Sequence, residues 1–198
     1  MKSPRQTTLV RDDILDTATR LFAAQGYRAT GVNQIIREAG VAKASFYHHF
    51  PSKQVLGEAF VRRRHERWFA AVKQRLETGT SPRDQMLALF SLWDDQIRAE
   101  GFRGCTFINM AAEFPDPASP IRQQIKTHKE AVRALIARLL AAHAATLGEA
   151  EPSPADADGI YLLYDSAIVE SQNFQAVWPI QSAKRTVARL LAETAAAS

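Results

Sequence analysis

Fourteen consecutive residues, GVAKASFYHHFPSK at positions 40–53, hold three aromatic rings, two adjacent histidines and two lysines in a chain that is only 9% aromatic. Three kinds of chemistry fit such a set: a metal site, a packed aromatic core, or a surface that holds an anion. Adjacent helical residues point about 100° apart, and no cysteine or carboxylate stands at ligand spacing near His48-His49, so no metal is predicted there. His49 reads as a half-buried packing residue. Phe46 and Phe50, four positions apart, share one helical face and with Val41 are expected to pack on Val32, Ile36 and the preceding helix. Lys43, Ala44, Ser45, Tyr47 and His48 are left for the outer and flanking faces.

Those outer residues suit nucleic acid. Lys43 can pair with phosphate or a guanine edge, Ser45 can donate to either, Ala44 can touch a thymine methyl, and Tyr47 and His48 can hydrogen-bond phosphate or base. Lys53, in the first turn of the next helix, adds its charge to free backbone N–H groups at a positive dipole end. Thr30, Asn33 and Gln34 are expected to hold the neighbouring phosphate backbone in the same way.

The elements that must position these groups are helical. Ile14, Leu15, Ala18, Leu21 and Phe22 make one apolar stripe, and Gly26 stands where a C-terminal cap would end that helix. Thr30 or Gly31 can cap a second, short helix carrying Val32, Ile35, Ile36 and Ala39, closed by Gly40. A third spans about Lys43–Phe50 and ends at Pro51, and Ser52 can cap a long fourth with Val55, Leu56, Ala59 and Phe60 inward. Two short helices joined by a tight turn containing glycine have the geometry of a helix-turn-helix, whose second helix enters the major groove. Beyond Phe60, VRRRHERWFAAVKQRL reads as a connector, its arginine run a solvated face.

Ser81-Pro82, Ser119-Pro120 and Ser153-Pro154 each place a capping serine before a proline at the first helical position, and Asp84 and Asp156 extend two of them into capping boxes. They predict helices near 82–100, 105–114, 120–147 and 154–178, with Trp178-Pro179 interrupting the last and a final helix over about 180–196. The expected fold is all-α with about nine helices: an N-terminal helix-turn-helix three-helix bundle over 8–55, a connecting helix over 56–80, and a C-terminal helical dimerisation and effector domain over 81–198.

Charge divides the same way. Through residue 75 there are 14 Lys/Arg against 6 Asp/Glu, a balance of +8; the remaining 11 against 15 give −4, which sums to the net +4. A basic N-terminal part meets a polyanion while the rest does something else. No run of about eighteen apolar residues would span a bilayer, and the N-terminus lacks the apolar stretch of a secretory signal. A single cysteine, Cys105, excludes an internal disulfide framework and fits the cytoplasm.

Residues 11–60, above all GYRATGVNQIIREAGVAKASFYHHFPSK, resemble the DNA-binding domain of the TetR family of one-component transcriptional regulators. The resemblance rests on Gly40, the Phe46-Tyr47 pair, His48, His49, Phe50 and Lys53 at the family's spacing. It implies that Tyr47 and Lys53 contact phosphate, and that the turn and early recognition helix read bases. Lys43 and Ala44 replace the small or polar residues frequent there, so the base preference does not carry over. It further implies a homodimer on a palindromic double-stranded DNA operator, joined through the last two long helices, with a small-molecule effector cavity among the middle helices. A lone recognition helix reads too few bases for useful specificity, which also requires a dimer.

Phe90, Trp93, Phe107, Met110, Phe114, Tyr161 and Tyr164 have the spacing of core stripes and are the candidate lining of that cavity; Asn109, Glu113, His128, Asp165 and Asn173 are its candidate polar groups. Such an aromatic and methionine-containing lining implies a hydrophobic effector. Cys105, among Phe102, Phe107 and Met110, reads as a buried structural thiol, and GFRG as a bend. No Ser/His/Asp set, paired-carboxylate motif or cofactor loop supports catalysis, and no cofactor is expected. The sequence therefore points to a repressor released from DNA when an effector shifts the spacing of the recognition helices. The alternatives left open are a helical small-molecule-binding protein or enzyme without a DNA role, and a sequence-independent DNA binder.

Overall fold

Apolar periodicity closes into helices where the stripes run. In a computed structural model of the chain, which describes residues 4–193, nine helices and no strand occur among the described residues: α1 (Pro4–Gln25), α2 (Val32–Glu38), α3 (Lys43–His49), α4 (Lys53–Leu76), α5 (Pro82–Glu100), α6 (Thr106–Glu113), α7 (Pro120–Leu147), α8 (Pro154–Phe174) and α9 (Trp178–Glu193). No described helix is long and apolar enough to cross a membrane. The helices gather into two compact units. The first holds α1–α3, α4 as far as Glu66, and Thr106–Lys126; the second holds Arg67–Cys105 and the described residues from Thr127 to Glu193.

In the first unit the α1 stripe Ile14, Leu15, Ala18, Leu21 and Phe22 is buried, together with Ile35 of α2, Phe46 and Phe50 of the third segment, and Leu56, Ala59 and Phe60 of α4. Phe22 meets Phe60 edge-on, with ring centroids 5.3 Å apart. Gly26 adopts the left-handed φ of +88° and its N–H returns to the Phe22 carbonyl at 3.0 Å, ending α1 as its position predicts. Phe107 and Met110 of α6 and Ile121 of α7 are also buried in this unit.

The second unit is built on α5, α7, α8 and α9, with Met86, Leu89, Phe90, Leu135, Ile136, Ile168 and Val187 among its buried side chains. α7 starts at Pro120 as Ser119-Pro120 predicts, and side-chain caps form at the other two serine-proline starts, with the reciprocal capping box seen at Ser153 and not at Ser81. Ser81 accepts the Asp84 N–H, and Ser153 and Asp156 form a reciprocal capping box with proline at the start of the helix. The end of α8 departs from expectation. Rather than running to 178, it stops at Phe174 because Gln175 turns left-handed (φ 49°), while Trp178-Pro179 form the first turn of α9, where proline's missing N–H costs nothing. The expected limit of the last helix, 196, lies outside the described residues.

Candidate nucleic-acid interface

The turn between α2 and α3 is set by one glycine. Gly40 has φ +65°, its N–H bonds to the Arg37 carbonyl, and the Val41 N–H reaches the Ile36 carbonyl at 3.2 Å, satisfying the last carbonyls of α2. After the four residues 39–42, α3 begins at Lys43. Its inner face is fixed by Phe46 and Phe50, 0% and 1% exposed, with ring centroids 6.2 Å apart. The Arg11 guanidinium lies 5.2 Å from the centroid of the Phe50 ring.

With those rings inward, Lys43, Ala44, Tyr47 and His48 are exposed on α3 and Ser45 is half-buried. Lys43 and Tyr47 stand at i and i+4 and share one side of α3, with the Ala44 methyl about 100° round at the edge of that side. On α2, Asn33 is exposed, whereas Gln34 is half-buried and hydrogen-bonded to Gln25 at 2.8 Å and to Glu38 at 3.0 Å. The His48 and His49 rings meet edge-on at 5.1 Å, with His49 half-buried. Arg63 of the arginine run pairs with Asp16 of α1.

Thr30 requires a correction. Its side chain is fully buried, its hydroxyl donates to the Gly26 carbonyl at 2.7 Å and accepts from Gln25 at 3.1 Å, so it braces the α1–α2 loop and presents nothing to a phosphate. Gly31, without a side-chain cap, occupies the N-cap position of α2. Ser52 does cap α4, through the Val55 N–H at 3.2 Å.

Lys53 is half-buried. Its ammonium sits 4.3 Å from the Tyr27 ring centroid and donates to the Arg28 carbonyl at 3.3 Å. Burial lowers its pKa from the ordinary lysine value, and the nearby Glu113 charge works against that fall.

Glu113, expected among the effector residues, is bound to this same loop. Its carboxylate accepts the backbone N–H groups of Tyr27 (2.8 Å) and Arg28 (2.6 Å), and the Arg28 guanidinium donates to the Glu113 carbonyl at 2.7 Å. Phe114 follows, its ring 4.9 Å from that of Tyr27. Sequence reasoning missed Tyr27 and Arg28. The local signal was the stop at Gly26, which leaves the next backbone N–H groups in need of an acceptor.

The other candidate effector residues divide between the units. Phe107, Met110 and Phe114 belong to the first; Phe90, Trp93, His128, Tyr161 and Tyr164 belong to the second. Within the second, the Phe90 and Tyr164 rings meet edge-on at 5.3 Å, and His128 is buried against Trp68 at 5.3 Å. Asn173 does not line an interior. It is exposed at the end of α8 and bonds to Glu170 one turn back. Asn109 is likewise exposed.

The chain matches the profile of bacterial regulatory proteins of the tetR family over residues 14–60, and that of the tetracyclin repressor-like C-terminal domain over residues 82–187. It is 28% identical over 132 residues to the HTH-type transcriptional repressor NemR of Escherichia coli, covering 66% of each chain. To the HTH-type transcriptional repressor KstR2 of Mycolicibacterium smegmatis it is 38% identical over 88 residues, 44% of this chain and 43% of that one. It thus spans just under two thirds of one of these curated relatives and less than half of the other. Among solved structures, SCO4454, a TetR-family transcriptional regulator from Streptomyces coelicolor, superposes with a TM-score of 0.85 at 28% identity, over 95% of this chain and 97% of that one.

Proposed function

The chain belongs to the TetR family of bacterial regulatory proteins and is thus a helix-turn-helix transcriptional regulator, and we propose that it represses transcription as a homodimer on a palindromic operator. The observation that carries this is the division of α3: Phe46 and Phe50 buried on one side, Lys43, Ala44, Tyr47 and His48 exposed on the other. In this reading Lys43 and Ala44 meet base edges, while Tyr47, His48, Asn33 and Lys53 hold phosphates. Lys53 keeps N–H donors beyond the one given to Arg28, so it braces the loop and reaches the DNA backbone together.

The dimer is supported by the outer faces of the last two helices. Leu162 and Phe174 of α8 and Trp178 and Leu190 of α9 are 61%, 58%, 52% and 45% exposed. Large apolar groups gathered on two neighbouring helices suit a partner surface. The small residues Ala155, Gly159 and Ser166 stand with Leu162 at alternating spacings of three and four on α8, and allow a second helix to approach closely.

Residues 8–55 are then the DNA-binding part and 56–80 the connection, while 81–198 carries dimerisation and effector binding. A small apolar effector bound by the C-terminal part favours a conformation whose recognition helices miss successive major grooves, and the operator is released. The protein acts in the cytoplasm, where its DNA lies, and by binding without a catalytic step. A reporter gene placed behind a duplex selected by the protein tests the sense of regulation. The wild-type chain represses it and Tyr47→Ala restores expression; higher expression with the wild-type chain than without it contradicts repression.

A further inference from the structure

Inside the C-terminal unit, polar side chains converge where the core is otherwise apolar. Trp93 of α5 and Tyr164 of α8 are 6% and 2% exposed, and neither the indole N–H nor the phenol hydroxyl makes a hydrogen bond of good geometry, the indole N–H leaning only loosely on the phenol oxygen. Burial pushes the Tyr164 hydroxyl well above the usual phenol range, Cys105 adds to that rise, and the neighbouring Trp93 N–H works against it. Beside them the Lys129 ammonium of α7 pairs with Asp165 and lies 3.7 Å from the Cys105 Sγ. Burial disfavours the Lys129 charge, but Cys105 and Asp165 more than offset it. The Lys129 and Asp165 side chains keep 20% and 24% exposure, so this pair is less deeply buried than Trp93 and Tyr164.

Buried polar groups nearly always find a partner, and an orphaned one marks strain or a missing ligand. Both groups can donate: the indole N–H has no other capacity, and even where it leans on the phenol oxygen the phenol proton is still without an acceptor. Lys129 adds further N–H donors. The atom that satisfies them must therefore be an acceptor. Its charge follows from Asp165, which already compensates Lys129. A carboxylate would bring a second negative charge beside Asp165 into a poorly solvated place, whereas a carbonyl oxygen brings none. Phe90, edge-on to Tyr164, supplies apolar surface next to the donors.

We propose that Trp93, Tyr164 and Lys129 form the polar end of the effector site, and that it takes a neutral ligand with a carbonyl oxygen on an apolar or aromatic body. This rests on the effector-controlled regulator described above. Asp165 acts through Lys129 and is a positioning residue; Cys105 packs against the ammonium.

The probes are 4-phenylcyclohexanone, phenylcyclohexane and 4-phenylcyclohexanecarboxylate, titrated into the full chain and followed by calorimetry. The ketone binds, the hydrocarbon and the carboxylate bind about tenfold more weakly or worse, and Tyr164→Phe costs the ketone about tenfold while leaving the hydrocarbon unchanged. Because the hydroxyl is unpartnered, ligand-free Tyr164→Phe keeps its Tm or gains about 2–4 °C. A fall in Tm, a carboxylate that binds tightest, a ketone affinity indifferent to Tyr164→Phe, or no ketone binding at millimolar concentration each overturns the proposal. Adding the ketone to the operator complex separates the two readings. Tyr164-dependent binding without DNA release supports the site and contradicts effector-controlled release, and release that ignores Tyr164 contradicts the site alone.

Discussion

Arg28 and Glu113 hold one another twice. The Arg28 backbone N–H donates to the Glu113 carboxylate at 2.6 Å, and the Arg28 guanidinium donates to the Glu113 carbonyl at 2.7 Å. The same carboxylate takes the Tyr27 N–H, so the loop that launches α2 hangs from the last residue of α6. Glu113→Gln leaves one acceptor oxygen and turns an amide toward the other N–H. A hydrogen bond to a charged group contributes about 1.5–3 kcal/mol when well buried, and partial exposure here places the loss near the lower end. Thermal unfolding should show Tm lowered by about 2–6 °C, and fluorescence anisotropy should show weaker operator binding because α2 loses its anchor. An unchanged Tm would show that the loop holds without Glu113.

Gly57 marks a close approach within the same unit. A Cβ there would come within 2.8 Å of the Tyr27 ring and 2.9 Å of the Ile121 Cδ1. Ile121 can turn its end aside, but the Tyr27 ring is held between Phe22, Phe114 and Lys53. Gly57→Ala gains up to about 1 kcal/mol of helix propensity and loses about 1–3 kcal/mol to overpacking. The predicted result is a net loss, read as a lower denaturant midpoint with an unchanged m-value. A raised midpoint would mean that the ring gives way.

Acid should weaken the fold through its paired carboxylates. Hydrogen bonding to Arg133 lowers the Asp158 pKa, and bonds from Ser81 and Thr80 lower that of Asp84. A carboxyl with a folded pKa below its unfolded value, about 3.9, stabilises fully above that value and loses its contribution as pH falls through the folded pKa. Tm should therefore hold between about pH 7 and 5 as far as these groups decide it, and fall below about pH 4. Asp158→Asn should lower Tm at pH 7 and converge on the wild type in acid; a constant difference across the range would refute the linkage.

The proposed dimer predicts a sharp effect at Leu162, which is 61% exposed on α8. Leu162→Asp places a charge in the joined face, so sedimentation velocity should show monomers, and operator binding should fall with the second half-site contact. The variant's own unfolding should change little, because an exposed leucine carries little of the subunit's core. A dimer that survives the charge would place the interface elsewhere.

The helices were legible because their signals are local. Apolar stripes, the glycines at 26 and 40, and serine-proline starts each act within a few residues, and α5, α7 and the helix-turn-helix follow them closely. The exposed face of α3 was legible for the same reason, since Phe46 and Phe50 fix its phase. The Glu113 clamp was not, because its partner Tyr27 lies 86 positions away and nothing near Glu113 marks a backbone acceptor. Thr30 misled because a threonine at a helix start looks like a cap until the chain turns its hydroxyl back to Gly26. Asn173 misled because periodicity counted along α8 says which residues share a face, and not which face reaches solvent at the helix end. The orphaned hydroxyl of Tyr164 is a property of packing alone.

The central claim is that two exposed α3 faces read matched half-sites. Selection of bound duplexes from a random-sequence pool at about physiological salt, followed by sequencing, tests it most directly. A dimer of this kind should enrich a palindrome with half-sites one helical turn apart or a multiple of it, about 10 base pairs per turn, and Lys43→Ala should relax the preference within each half-site. Binding that falls steeply with salt while enriching no sequence would contradict it and leave a sequence-independent binder.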